Sequence, residues 1–287
     1  MYDKMMTLSN GVQIPQMALG TWFIADDKAA EAVREAVKIG YRHFDTAQAY
    51  GNERGVGEGV RTAGIPREEI FVTSQVAAEN KSYESAAASI DESLEKLGLD
   101  YIDLMIIHSP QPWKEVNQSD NRYFAENREV WRALTDAYKA GKVKAIGISN
   151  FLQEDIDNIY DWAEVKPMVN QILCHVSNSP LDLIDYCQKK DIVVEAYSPM
   201  GHGEIMKQPE LAEMAKKYGV TVAQLCIRYD IQLGTVVLPK TANPEHMKTN
   251  ADVDFVISDE DMETLKNVKV IKDYGDSGVF PVYGGKI

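Results

Sequence analysis

Short apolar runs that alternate with longer amphipathic stretches, about eight times over, predict an α/β protein: a (β/α)8 TIM barrel preceded by a β-hairpin. Two further observations point the same way. No Gly-x-Gly-x-x-Gly turn follows the first strand, as an open doubly wound sheet would want; Gly55-Val56-Gly57-Glu58-Gly59 has other spacing and falls inside a helical pattern. No Gly/Ser/Pro linker or low-complexity segment interrupts the 287 residues, so 1–287 are expected to form one domain.

The elements follow in order. Thr7–Ile14 reads as a hairpin, since short β-type runs flank Ser9-Asn10-Gly11 and Asn-Gly suits a turn needing positive φ. Met17–Gly20 is a strand, and Asp27–Ile39 a helix with Ala30, Val33 and Val37 on one face and a Gly40 stop. His43–Asp45 is strand-like and Glu53–Thr62 helical. Phe71–Gln75 is a strand entered through a turn at Pro66, and Tyr83–Leu97 an amphipathic helix ended by Gly98. Ile102–His108 is almost wholly apolar, as befits a strand buried on both faces. Arg128–Ala140 is a helix closed by Gly141, and Val143–Ser149 the next strand. Helix Asp155–Trp162, strand Met168–Leu173, helix Leu181–Lys190 and strand Ile192–Tyr197 continue the alternation. Two helices, Glu210–Tyr218 and Val222–Leu233, precede strand Thr235–Leu238; a last helix spans Asp259–Asn267, and the tail reads as loop.

Composition is that of an ordinary soluble globular protein, 45% hydrophobic and 26% charged. A net charge of −14 argues against a nucleic-acid or anionic-membrane partner, because both require basic surface. A phosphorylated ligand would have to be held by a few local cations and backbone amides. Cys174, Cys187 and Cys226 cannot all pair and lack metal-ligand spacing, so reduced thiols and no metal site are expected. The N-terminus has no basic-then-apolar leader and no window approaches a membrane span, which places the protein in the cytoplasm.

Barrel enzymes carry their chemistry at the C-terminal ends of the strands. Those positions read Gly20-Thr21-Trp22, Asp45 with Tyr50, Gln75, His108, Ser149-Asn150, Asn170-Gln171, Tyr197-Ser198 and Lys240-Thr241. Polar and aromatic residues cap apolar strands at every one.

The segment Phe44-Asp45-Thr46-Ala47-Gln48-Ala49-Tyr50-Gly51-Asn52-Glu53 resembles the signature of the aldo-keto reductase superfamily. So do Gly20-Thr21-Trp22, Ile106-Ile107-His108-Ser109-Pro110, Gly147-Ile148-Ser149-Asn150-Phe151, Ala196-Tyr197-Ser198-Pro199 and Leu238-Pro239-Lys240-Thr241, in order and over nearly the whole chain. The resemblance implies hydride transfer between a nicotinamide cofactor and a small organic substrate, resting on an Asp–Tyr–Lys–His tetrad. It makes Tyr50 the general acid at the carbonyl oxygen, His108 the residue that orients that oxygen, and Asp45 the carboxylate that in relatives holds the lysine.

The lysine itself is missing. Gln75 stands in its place, and the nearest lysine downstream, Lys81, lies six residues on. A cation ~4 Å from a phenol is worth about 4 kcal/mol at an effective dielectric of ~20, roughly three pKa units. Gln75 can donate a hydrogen bond to Tyr50 but supplies no charge, and it leaves Asp45 easier to protonate. Four readings stand open: a knocked-down carbonyl reductase, a reductase of imines or iminium ions that need no strong acid, a carbonyl reductase content with Tyr50 and His108, or a cofactor-binding protein without catalysis.

By the same resemblance Ser149, Asn150 and Gln171 bind the nicotinamide carboxamide, Tyr197 stacks on its ring, and Ser198, Met200 and Gly201 line the pyrophosphate path, with Gly20, Thr21 and Trp22 beside the cofactor. Lys240 and Thr241 match the contacts to a ribose 2′-phosphate and Asn250 an adenine contact. His246 stands where many relatives carry arginine, so NADP(H) should be preferred over NAD(H), but moderately. Trp22, Ala77, Trp113, Tyr123 and the tail around Val279-Phe280 are expected to wall the substrate site, with Ala77 making it roomier. His43 and His175 read as structural; His202 is open between the two. The partner expected is a small molecule, and the chain a monomer or weak dimer.

Overall fold

The computed structural model describes residues 3–116 and 118–283. A two-stranded hairpin, β1 (Met5–Thr7) with β2 (Gln13–Pro15), precedes an eight-stranded parallel sheet. The sheet strands are β3 (Leu19–Gly20), β4 (His43–Asp45), β5 (Phe71–Val76), β6 (Ile102–Ile107), β7 (Val143–Ser149), β8 (Val169–Leu173), β9 (Val193–Tyr197) and β10 (Val236–Leu238), each paired with the next in sequence. The ring is closed by contacts between its ends: Ala18 N–H donates to Val237 O at 3.0 Å and Gly20 N–H to Pro239 O at 3.1 Å. Strands paired on both sides inside a helical coat must be apolar throughout, and β6 and β7 are buried along nearly their whole length.

Helices α1 (Asp26–Ile39), α2 (Glu53–Arg61), α3 (Tyr83–Leu97), α4 (Phe124–Lys139), α5 (Gln153–Tyr160) and α6 (Leu181–Lys189) return the chain from each strand to the next. Both α7 (Pro209–Tyr218) and α8 (Val222–Gln232) lie between β9 and β10, and α9 (Pro244–Ala251) and α10 (Asp259–Lys266) follow. The hairpin sits under the barrel: Asn10 Nδ2 donates to Lys144 O and Gln16 Nε2 to Thr235 O, both at the N-terminal ends of strands. Its strands begin two residues earlier than the sequence pattern suggests, pairing Met5 with Pro15 around Gly11 at φ 88°.

The glycines of α2 are packing devices. A Cβ on Gly55 would lie 2.1 Å from Asp26 O, and one on Gly57 would lie 2.0 Å from Leu97 O. Their absence lets α2 press directly on α1 and on the end of α3. The other departures from the sequence reading are shifted ends and one helix, α9, where it assigned no element. Helix α4 starts at Phe124, four residues before its apolar periodicity shows, and α9 begins at Pro244, a residue well suited to a first helical turn. The tail, read as loop, folds into short 3-10 turns at Gly275–Val279 and Pro281–Tyr283. Among the described residues, no helix is long and apolar enough to cross a membrane.

Candidate active site at the mouth of the barrel

A cavity of about 780 Å³ opens at the C-terminal ends of the strands. It runs from Trp22, Tyr50, His108, Trp113 and Phe280 past Ser149, Asn150, Gln171, Tyr197, Ser198 and Met200 to Lys240, Thr241, His246 and Asn250. Asp45 and Gly20 reach it from the floor. Thus most of the residues singled out in the sequence share one wall system. Six of those given a place in the site stand apart from it, Val279 among them, exposed and outside the lining. Thr21 is buried beneath, its Oγ1 donating to Asp45 O; Gln75 is buried behind Asp45; Gly201 lies between lining neighbours. Ala77, whose N–H donates to Gln48 Oε1, and Tyr123, whose hydroxyl donates to Glu115 Oε1, lie outside the lining.

The loop that carries Tyr50 is held from below. Asn52 Nδ2 donates to Thr21 O and Ile24 O, Thr46 Oγ1 donates to Asn52 Oδ1 at 2.6 Å, and Ser74 Oγ donates to Glu53 Oε1 at 2.6 Å. Asn52 and Glu53 are therefore the buried splint of the segment that presents Tyr50, with Gly51 in the left-handed region at φ 69°.

Gln75 Nε2 lies 3.2 and 3.3 Å from the two carboxyl oxygens of Asp45 and 3.5 Å from the Tyr50 hydroxyl. Its Oε1 is buried without a hydrogen-bond partner. Burial pushes Asp45 up to about 7, against hydrogen bonds from Gln171 and Gln75. Burial, then the neighbouring Asp45, push the Tyr50 phenol well above its ordinary value. Burial also drives His108 down to about 3, so its imidazole is neutral, and its Nδ1 has no partner among the described residues. The His108 ring meets Tyr50 at 5.7 Å and Trp113 at 4.8 Å, both edge-on. Lys81 does not return to the site: its ammonium donates to Ser109 O and Asn127 Oδ1, under α4.

Further along, Ser149 Oγ donates to Gln171 O, Asn150 Nδ2 to His108 O, and the Tyr197 hydroxyl to Asn150 Oδ1 at 2.7 Å. Asn150 and Ser198 each hold a positive φ, 61° and 54°, immediately after a strand. Such backbone is strained for non-glycine residues and recurs where side chains must be aimed.

Three groups carried no role in the sequence reading. Glu195, on β9, is fully buried and accepts from Gln171 Nε2 at 2.9 Å; burial, then Asp45, raise it to about 8. Its strand position two before Tyr197 places it on the same inward face, and a lone Glu in the apolar run Val193–Ala196 was the available signal. Tyr283 in the tail is hydrogen-bonded to Ser198 Oγ and to His202 Nε2. His202 lines the cavity edge-on to Trp22, whereas His43 and His175 are buried in structural bonds to Thr73 and Tyr274.

A closed parallel barrel with an aromatic-walled cavity at its C-terminal face, a tyrosine, a neutral histidine and a buried carboxyl converging on it, defines a barrel oxidoreductase. The chain belongs to the aldo/keto reductase family, whose model matches residues 16–270. It is 40% identical to the glyoxal reductase of Bacillus subtilis over 90% of each chain, and 36% identical to the glycerol 2-dehydrogenase (NADP(+)) of Saccharomyces cerevisiae over 96% of this chain and 93% of that one. The crystal structure of a Bombyx mori aldo-keto reductase in complex with NADP superposes with a TM-score of 0.83 at 34% identity, covering 98% of both chains.

Proposed function

We propose that this protein is an NADP(H)-dependent reductase of small aldehydes and ketones in which Tyr50 protonates the carbonyl oxygen and Gln75 leaves that acid weakly assisted. The carrying observation is the position of Gln75 Nε2, within 3.2–3.5 Å of both Asp45 and Tyr50, where a neutral amide alone links carboxyl and phenol. The cavity suits an extended dinucleotide: it is long, flanked midway by the Tyr197 ring, and ends at an exposed Lys240 beside the N-terminus of α9. When bound, the dinucleotide supplies the hydride. Ser149, Asn150 and Gln171 would hold its nicotinamide, and Lys240, Thr241, His246 and Asn250 its adenosine end. Neutral His108 orients the carbonyl oxygen without competing for its proton. Trp22, Trp113 and Phe280 exclude water around it.

Reduction of a cyclic imine or iminium is the second reading. It is favoured by the lack of a fixed cation beneath Tyr50: Gln75 is neutral, and no lysine or arginine is ion-paired to Asp45 or Glu195 among the described residues. Consumption of NADPH and NADH over a panel of aldehydes, ketones and cyclic imines tests both, with Tyr50→Phe as the control. Aldehyde or ketone turnover lost in Tyr50→Phe supports the first reading; imine turnover that survives that change supports the second. Consumption of neither nucleotide with any substrate refutes both.

A further inference from the structure

Gln171 is the point where two buried carboxyl groups meet one amide. Its Nε2 donates to Asp45 Oδ1 at 2.9 Å and to Glu195 Oε2 at 2.9 Å. An amide nitrogen has two hydrogens, and both are thereby used. With both carboxyls ionised, above their raised values of about 7 and 8, a flipped Gln171 would turn its carbonyl oxygen on groups that only accept, so the amide has one orientation. What it has left for a ligand is Oε1, an acceptor, whose one partner among the described residues is Gln75 Nε2 at the long distance of 3.4 Å. Asp45 alone would leave one N–H unanswered and the flip much cheaper. Glu195 completes the lock, and the Glu195 side chain has no contact with the cavity itself.

We propose that Glu195 is a positioning residue that locks the Gln171 amide with its oxygen facing the cofactor, so that the site selects a dinucleotide carrying a carboxamide donor over one carrying a carboxylate in its place. This rests on the proposed binding of a nicotinamide dinucleotide beside Gln171. The chemistry of selection is plain. A fixed acceptor takes an N–H from a primary amide and repels the oxygen of an acid, and the penalty of such a mismatch falls on groups already desolvated. With Glu195 exchanged for a residue that can itself donate, Gln171 can turn over and offer N–H to the acid form.

The test is binding at about pH 9, where both carboxyls are ionised, followed by quenching of tryptophan fluorescence in the full chain without substrate. The probes are NADPH-site ligands differing at one group: NADP+, its nicotinic acid counterpart, and 2′-phospho-ADP-ribose, which has neither. In the wild-type protein NADP+ should bind at least about tenfold tighter than the acid form. Glu195→Gln should shrink that ratio at least about fivefold and leave 2′-phospho-ADP-ribose within twofold of wild type, a pattern that general loosening of the barrel would not give. Glu195→Asp, which keeps an acceptor, should restore part of the ratio; it also serves if Glu195→Gln does not fold. A wild-type ratio that persists in both variants overturns the role of Glu195 alone. A wild-type protein that does not distinguish NADP+ from the acid form overturns the placement of the nicotinamide, and with it both proposals.

Discussion

Gln75 asks one nitrogen to serve four oxygens. Its two hydrogens face Asp45 Oδ1 and Oδ2, the Tyr50 hydroxyl and Gln171 Oε1, at 3.2–3.5 Å, all at or beyond the long end of a good hydrogen bond. An ammonium there would add charge as well as a donor, and removing one preorganised donor or charge from such a site typically costs about 10²–10³ in rate. Gln75→Lys is therefore expected to raise ketone or aldehyde turnover at least about tenfold and leave reduction of a matched cyclic iminium flat or slower, since that carbon needs no proton. Initial rates on the two substrates before and after the change decide it; equal responses would remove the electrostatic account. The carboxyls below make a separate prediction. Asp45 is raised to about 7 and Glu195 to about 8, chiefly by burial, from ordinary values of 3.8 and 4.5. The folded state thus holds these protons more tightly than the unfolded chain. Their contribution to stability is whole below about pH 4, declines as pH rises towards 7–8, and is gone above. In thermal melts of the apoprotein, Glu195→Gln should gain at least about 2 °C over wild type at pH 8.5 and no more than a fraction of that at pH 5. A gap independent of pH would mean that Glu195 does not titrate in this range.

At the scale of elements, α2 shows how a sequence feature can be legible in position and opaque in purpose. The run Gly55-Val56-Gly57-Glu58-Gly59 is recognisably helical and recognisably no phosphate loop, yet only the approach of Leu97 O shows what Gly57 is for. Gly57→Ala should cost about 1–3 kcal/mol through overpacking, read as a lowered urea midpoint with unchanged slope; an unchanged midpoint would mean that α3 shifts freely. The strands and most helices were legible because period 2 and period 3.6 are written in apolar residues, and β4, β7 and α3 begin and end where those patterns do. Helix α9 was not, since Pro244–Ala251 has little apolar periodicity and is held by its Asn243 cap, whose side chain accepts from Glu245 N–H. The site shows the same division. Residues at strand ends, Asp45, His108, Asn150, Gln171 and Tyr197, could be found from the barrel rule, and all line the cavity. Glu195 lies one layer deeper and Tyr283 comes from a tail with no period at all, so only the fold brings them to Gln171 and Ser198.

For the molecule as a whole, a net charge of −14 makes any gathering of cations near the cavity significant. Lys240 is exposed at its far end, next to the first turn of α9, with His246 on the same helix. Lys240→Ala should abolish the preference for NADP(H) over NAD(H), and His246→Arg should widen it by adding a planar fork of donors. Paired Kd values for the two cofactors measure both, and a preference surviving Lys240→Ala would place the 2′-phosphate elsewhere. The tail bears on the molecule differently. One phenol, Tyr283, is bonded to Ser198 and His202 of the loop after β9, while its neighbour Phe280 packs edge-on against Trp22 at 4.8 Å. Two walls of the cavity are thus fastened by a single clasp, so that movement of one is tied to movement of the other. On the proposed placement of the dinucleotide under the loop after β9, loosening this clasp is expected to speed its departure. Tyr283→Phe should quicken escape of the oxidised dinucleotide several-fold in stopped-flow fluorescence, and with it every cycle in which departure, rather than chemistry, is the slow beat.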